Sequence, residues 1–274
     1  MKEAPFDVTV DKDVPVILDE DKAGLGIKRS DIDTVIWSHH HWDHTGNMEL
    51  FDKSTSLAVG PGFPHQHGYP TDKDSSFLDA DIEGRKFYQF DFEKDGKGLK
   101  IGPFNAFDFF EDGSFYILDT PGHTDGHICG FARTSSNPDT FIFMGGDASH
   151  HPGEYRASEY VPLPSMIDKS IFKGMHAGCP GGMLQEIQRN KRADEAFYLP
   201  SSGFNKDEEK ALHTISGLQV FDGHDNVLLV VAHDTSVLDL LRLYPEKMDD
   251  WYERGLGKQA HWRFLGDFEK AIKT

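Results

Sequence analysis

Within six residues the chain places three imidazoles and a carboxylate, His39-x-His41-x-Asp43-His44. Buried together with nothing to bind, these groups would be mutually unsatisfied and costly. Their types are those that hold divalent metal ions. On a turn after a strand, alternate residues point the same way, so His39 and His41 suit one ion. Asp43 and His44, a step further round, suit a second. Metal–ligand bonds of about 2.0–2.1 Å leave little slack, which accounts for the tight spacing. Three later residues complete the pair of sites: His123 the first, His233 the second, and Asp147 bridging both through its two oxygens. Such ions stand about 3.5–4 Å apart and share a hydroxide, while an open coordination position admits water or substrate.

These residues need a rigid support, and the sequence predicts one. Thr34–Trp37 is β-branched and apolar and reads as a buried strand running into the His39–His44 cluster. Leu57–Val59 reads as the next strand, and residues 60–85 as a long surface loop rich in Gly, Pro, Asp and Ser. Phe104–Phe110 and Phe115–Leu118 form two runs joined by a tight turn at Asp112-Gly113. The second run leads to Pro121-Gly122-His123. Further strands are expected over Ile128–Ala132, Phe141–Met144 and Val227–Val231, and a polar helix over about Lys206–Gly217. Asp234 or Thr235 is expected to cap a helix through Leu241. Trp251, Tyr252, Trp262 and Phe264 are expected to pack outside the core. Four strand ends thus each carry a His or Asp, which predicts a layered α/β domain with its site along one sheet edge. No repeat or linker divides the chain, so residues 1–274 read as one domain.

Composition narrows the partners. The 28 basic and 46 acidic residues leave a net charge of −18, which repels nucleic acid and anionic membrane. No run reaches the roughly 20 apolar residues of a membrane span, and Met1–Pro5 does not open a signal peptide. Two cysteines, Cys129 and Cys179, make no disulfide framework. Cys129 reads as a small buried hydrophobe, and Cys179 as an exposed loop residue. The expectation is a cytoplasmic protein acting on a small molecule, with a homodimer as the commonest assembly.

Ser38-His39-His40-His41-Trp42-Asp43-His44-Thr45-Gly46-Asn47 resembles the HxHxDH signature of the metallo-β-lactamase superfamily. Pro121–His127, Gly145–His150 and Val231–Asp234 follow in the order that superfamily uses for its remaining ligands. The resemblance spans roughly residues 30–240. It implies a four-layer αββα sandwich with a dinuclear site, all seven ligands (His39, His41, Asp43, His44, His123, Asp147 and His233) being present. Zn2+ is the expected ion, with Mn, Fe or Co compatible. Members usually carry an Asp-x-Gly turn after an N-terminal hairpin. Here only Val16-Ile17-Leu18-Asp19 stands as a remnant, so the fold is expected to be short at its N-terminus.

The superfamily hosts many chemistries, so fold alone does not settle function. The intact ligand set opposes its redox members, the acidic surface opposes its nucleases, and no C-terminal basic cluster supports a glyoxalase II-like thioesterase. The chain is most similar to the N-acyl-homoserine lactonase group, which implies opening of a cyclic ester by attack of the bridging hydroxide. In those lactonases a Tyr three residues after the bridging Asp touches the substrate carbonyl. Here that position is His150, with Tyr155 or Tyr160 as alternative sources of a phenol. Asp43 and His150 are therefore the expected catalytic residues. His127 is expected to orient a ligand by a hydrogen bond. Hydrolysis of a lactam or cyclic carbamate at the same site is the near alternative, and His150 suits its poorer leaving group. A thioesterase and a non-catalytic metal-binding or interaction protein are the others. His151 is a weaker site candidate. His65 and His67 belong to the Gly/Pro loop, His40 packs behind the turn, and Trp42 covers it. His176, His213, His224 and His261 are expected to play no catalytic part.

Overall fold

Residues 9–63, 67–172, 179–201 and 203–272 are described by a computed structural model of the chain. His65 and His176 lie outside them. The chain divides into two units, residues 1–59 with 63–89, and residues 60–62 with 90–274.

The first unit begins with α1 (Val14–Glu20), where the sequence suggested a remnant of the family's Asp-x-Gly turn. Pro15 in the first turn explains the helix: its fixed φ suits that position, where an N–H has no helical partner to lose. β1 (Thr34–Ile36), α2 (Trp42–Thr45), β2 (Ser56–Val59), α3 (Asp79–Ile82) and β3 (Phe87–Gln89) follow. The strands pair in parallel in the order β1-β2-β3, with Val35 opposite Leu57 and Ala58 opposite Tyr88. Leu18, Trp37, Met48, Leu57, Val59, Phe63 and Phe77 form the core. The expected surface loop is thus anchored by two buried phenylalanines, because parallel strands need helical or apolar crossovers to cover them. The Arg85 guanidinium donates to the carbonyls of Met48 (2.7 Å) and Thr55 (2.8 Å), locking the segment after α2 to the end of α3.

The second unit holds β4 (Lys100–Ile101), β5 (Phe104–Asp108), β6 (Phe115–Asp119), β7 (Ile128–Ser136), β8 (Asp139–Met144), β9 (Met166–Ile167), β10 (Cys179–Pro180), α4 (Gly181–Ile187), α5 (Glu208–Asp222), β11 (Val227–Val230), α6 (Leu256–Ala260) and α7 (Glu269–Ile272). Six strands form one mixed sheet in the order β11-β8-β7-β6-β5-β4. Neighbours run antiparallel except β11, which pairs in parallel with β8. The β5–β6 turn falls where Asp112-Gly113 predicted it, with Gly113 at φ 74°.

Helix α5 carries buried Ala211, Thr214, Ile215, Leu218, Phe221 and Asp222, a spacing that presents one face to the sheet. Asp207 caps it by accepting from the Lys210 N–H at 3.1 Å. Phe221 stacks on Phe104 at 5.9 Å, and both join Phe131, Phe143, Leu229 and Val231 in the main core. Two of the four C-terminal aromatics depart from expectation, while Tyr252 is exposed as expected. Trp251 and Phe264 are fully buried, Trp251 with Leu228, Val237 and Leu256, and Phe264 with Phe172, Leu184 and Phe197. Their scattered spacing hides two small cores that only long-range contacts create. The helix expected after Asp234 is a single 3-10 turn, Thr235–Val237, with Asp234 accepting from the Ser236 N–H at 3.0 Å. No described helix is long and apolar enough to cross a membrane.

Candidate metal centre

The seven predicted ligands divide between the units. In the first, β1 ends at Ile36 and the Trp37 N–H still donates to Ala58 at 3.0 Å, so the chain leaves the sheet at Ser38. His39 follows, 1% exposed. Its Nδ1 lies 3.2 Å from Ser38 Oγ, and its Nε2 3.0 Å from His41 Nδ1. His41 is the N-cap residue of α2, whose first turn carries Asp43 and His44. The short helix swings His44 back, so its ring lies 4.3 Å from that of His39 and its Nε2 3.6 Å from Asp43 Oδ2. His40 turns away, packing edge-on to Phe63 at 5.7 Å, as expected. Trp42 is 55% exposed and does not seal the turn.

In the second unit, loop 120–127 joins β6 to β7 and presents His123, which is 5% exposed. Helix α5 clamps this loop. Thr214 Oγ1 donates to the Pro121 carbonyl at 2.8 Å, and the Asp207 and Lys206 N–H groups donate to Gly122 and His123 at 3.0 and 3.1 Å. Gly122 sits at φ 136°, and a Cβ there would overlap the Ala211 backbone nitrogen, so a side chain fits there neither conformationally nor sterically.

Asp147 stands one turn beyond β8 and is 3% exposed. Gly145 still bonds the Val230 carbonyl at 2.8 Å, and Ala232 returns a bond to Gly146 at 2.9 Å. Sheet pairing thus carries Asp147 and His233 to the same strand ends. Three imidazoles converge on the one carboxylate. His123 Nε2 and His150 Nε2 each lie 3.4 Å from Asp147 Oδ2, and His233 Nε2 lies 3.2 Å from Oδ1. The His233 side chain is 43% exposed and forms the open side.

The distances test whether the residues fit metal ions. Two ligands on a tetrahedral ion with bonds of about 2.0–2.1 Å stand roughly 3.3 Å apart. The donor separations among the seven predicted ligands within each unit run from 3.0 to 3.6 Å. Most exceed the roughly 2.7–2.9 Å of a charge-assisted hydrogen bond. Imidazole and carboxylate spaced in this way suit Zn2+ and its first-row neighbours.

His150 points into the set. Its ring lies 4.8 Å from His123, stacks on His233 at 5.5 Å with planes 13° apart, and lies 5.1 Å from Phe204. Glu154 holds it there by accepting from the His150 N–H at 2.9 Å and the Ser149 hydroxyl at 2.8 Å. The alternative phenols go elsewhere: Tyr155 is a core residue, and Tyr160 is half exposed beside Gly223 at the far end of α5. His151 turns out of the site, its Nε2 3.1 Å from Asp267 and its Nδ1 accepting from the Gly153 N–H. Cys179 is buried, against expectation, because β10 pairs with β9 over the core that holds Phe172 and Leu184. Sequence reasoning missed Phe204 and Glu154. Phe204 lies in a loop with no motif; Glu154, four residues after His150, offered only its charge and spacing.

A sequence model described as the metallo-beta-lactamase superfamily matches residues 7–165. Metallo-hydrolase mfmC of Annulohypoxylon moriforme is 44% identical over 97% of this chain and 69% of its own length. Gamma-lactamase FDB1 of Fusarium pseudograminearum is 39% identical over 98% of this chain and 65% of its own. Gamma-lactamase MBL2 of Gibberella moniliformis is 40% identical over 77% of this chain and 88% of its own. The chain thus spans about two thirds of the length of the first two. Among solved structures, an N-acyl homoserine lactone hydrolase superposes with a TM-score of 0.50 at 18% identity, over 85% of this chain and 66% of that one. That likeness concerns the fold.

Proposed function

The chain belongs to the metallo-beta-lactamase superfamily, and from that premise we propose that it is a dinuclear-metal hydrolase opening a small cyclic amide, a γ-lactam or cyclic carbamate. In this reading His39, His41, Asp43, His44, His123, Asp147 and His233 would hold the two ions. Ions held there would make available an acidified water, with a pKa of about 7 in the best cases, and a polarised carbonyl. The observation that carries the reading is the convergence of three imidazoles on both oxygens of Asp147.

The chain's own residues supply the rest. Water adds at the ring carbonyl, the ring C–N bond breaks, and the departing nitrogen takes a proton. His150 Nε2 is the donor we assign, because it faces the ligand set and an imidazole nitrogen can carry and release a proton. Nitrogen needs that proton more than the oxygen of an ester does. The names of FDB1 and MBL2 favour the amide over the cyclic ester that the motif resemblance alone implied. Phe204, 62% exposed against the His150 ring, offers the substrate an apolar wall. The lactone remains the second reading, favoured by Ser38-His39-x-His41-x-Asp43-His44-x-Gly46-Asn47. Zn2+ as the ion, a cytoplasmic location and a homodimer belong to the same proposal.

The test is metal content and turnover on one preparation. Two ions per chain, with γ-lactam hydrolysis abolished by chelator and restored by Zn2+, is the expected result. Two ions with lactone turnover alone moves the substrate class. Fewer than one ion and no turnover after reconstitution overturns the enzyme reading.

A further inference from the structure

The Pro121-Gly122-His123-Thr124-Asp125-Gly126-His127 loop carries two histidines with different environments. His123 faces the Asp147 carboxylate. His127, with no exposed surface, lies beside it at 5.9 Å with its ring nearly perpendicular. Both of its nitrogens are engaged by the backbone. The Asp147 N–H donates to Nε2 at 3.0 Å, so Nε2 carries the lone pair and Nδ1 the proton. Nδ1–H donates to the Thr120 carbonyl at 3.0 Å. The tautomer is therefore set by two backbone segments, the end of β6 and the turn after β8.

The bonding continues behind the ring. Thr120 Oγ1 lies 3.1 Å from His127 Nδ1 and donates to Cys129 Sγ at 3.1 Å, and the thiol donates to the Gly145 carbonyl at 3.2 Å. Burial pushes the Cys129 thiol up to about 12, so it stays protonated and remains a donor. Gly145 begins the turn that ends at Asp147. One buried chain thus joins the strand end before His123 to both sides of the turn that carries Asp147.

We infer that His127 is a positioning residue that sets metal affinity: it fixes the Asp147 backbone, and with it both carboxylate oxygens, relative to His123. This rests on the metal-centre reading above. An imidazole does this work because it holds an acceptor and a donor in one rigid ring. The amide side chains divide the two tasks. A Gln oxygen reaches the place of Nε2 and accepts from Asp147, whereas an Asn amide reaches only the place of Nδ1 and donates to Thr120.

The experiment titrates Zn2+ alone against the metal-stripped full chain in competition with a chromophoric chelator, for wild type, H127L, H127Q and H127N. Loss of a group that orients a ligand costs about ten- to hundred-fold in affinity. The expected result is weakening of that size for H127L and H127N, with H127Q within about three-fold of wild type on the same basis. Melting temperatures of the metal-free proteins are recorded alongside. A purely structural role would lower those temperatures in all three variants and leave Zn2+ affinity unranked. Equal affinity of H127L and wild type, or of H127Q and H127N, overturns the inference. Should H127L not fold, the Gln–Asn comparison still decides. Failure of wild type to bind Zn2+ would instead overturn the metal-centre reading.

Discussion

Acid should destabilise this protein through His261, a residue far from the ligand set in sequence and role. Its side chain is 16% exposed, with Nε2 3.4 Å from Asp222 Oδ2, while its carbonyl accepts from Arg156 at 2.9 Å. Burial pushes its pKa down to about 4; the neighbouring Arg156 charge adds to this and Asp222 opposes it. The unfolded value is about 6.5. The folded state therefore prefers the neutral ring. The stability this contributes is complete above the unfolded value and is lost as pH falls from there through the folded one. The full loss is about 3 kcal/mol, of which about 2 kcal/mol falls between pH 7 and pH 5. The assay is urea unfolding at both pH values, with chelator present so that metal release does not enter, for wild type and H261Q. Carboxylates common to both proteins cancel in the difference. Wild type should lose about 2 kcal/mol more than the variant. Parallel losses, agreeing within about 0.5 kcal/mol, would refute the reasoning, as would a His261 ring resonance titrating with a midpoint above about 6.

Two further outcomes are expected. Asp222 and Arg156 form a bidentate pair, with side chains 3% and 5% exposed, that pins the last residue of α5. D222A strands the guanidinium and should cost about 3–5 kcal/mol in urea unfolding, whereas R156M/D222L should recover most of that; a single-variant cost under about 1 kcal/mol would mean the charge is not isolated. H150F should keep the wild-type Zn2+ stoichiometry and lower kcat about 10²–10⁴-fold, and unchanged turnover on the best substrate would remove His150 from proton transfer.

Much of this architecture is legible locally. Thr34–Trp37, Phe115–Leu118, Phe141–Met144 and Val227–Val231 read as buried strands because they are β-branched or aromatic runs without charge, and Asp112-Gly113 marks its own turn. The elements that were misread depend on distant partners. Phe63 and Phe77 look like loop residues until Trp37 and Leu57 are folded against them. Trp251 and Phe264 look like surface decoration until their satellite cores close. Val16–Asp19 becomes helical because Pro15 can start a helix, and no described strand pairs with the segment.

The same division holds at the candidate centre. By itself the sequence determined which donors are present and that they stand at strand ends, because metal ligation constrains residue type and short-range spacing very tightly. Tertiary structure alone decided orientation. Only the β8–β11 pairing brings His233 to Asp147, and only the fold of residues 147–155 aims His150 inward and His151 outward, two neighbours of one type with opposite roles. It also separated His123 from His127 within one loop. Local spacing cannot encode such choices, since each depends on which backbone groups residues dozens of positions away leave available for bonding.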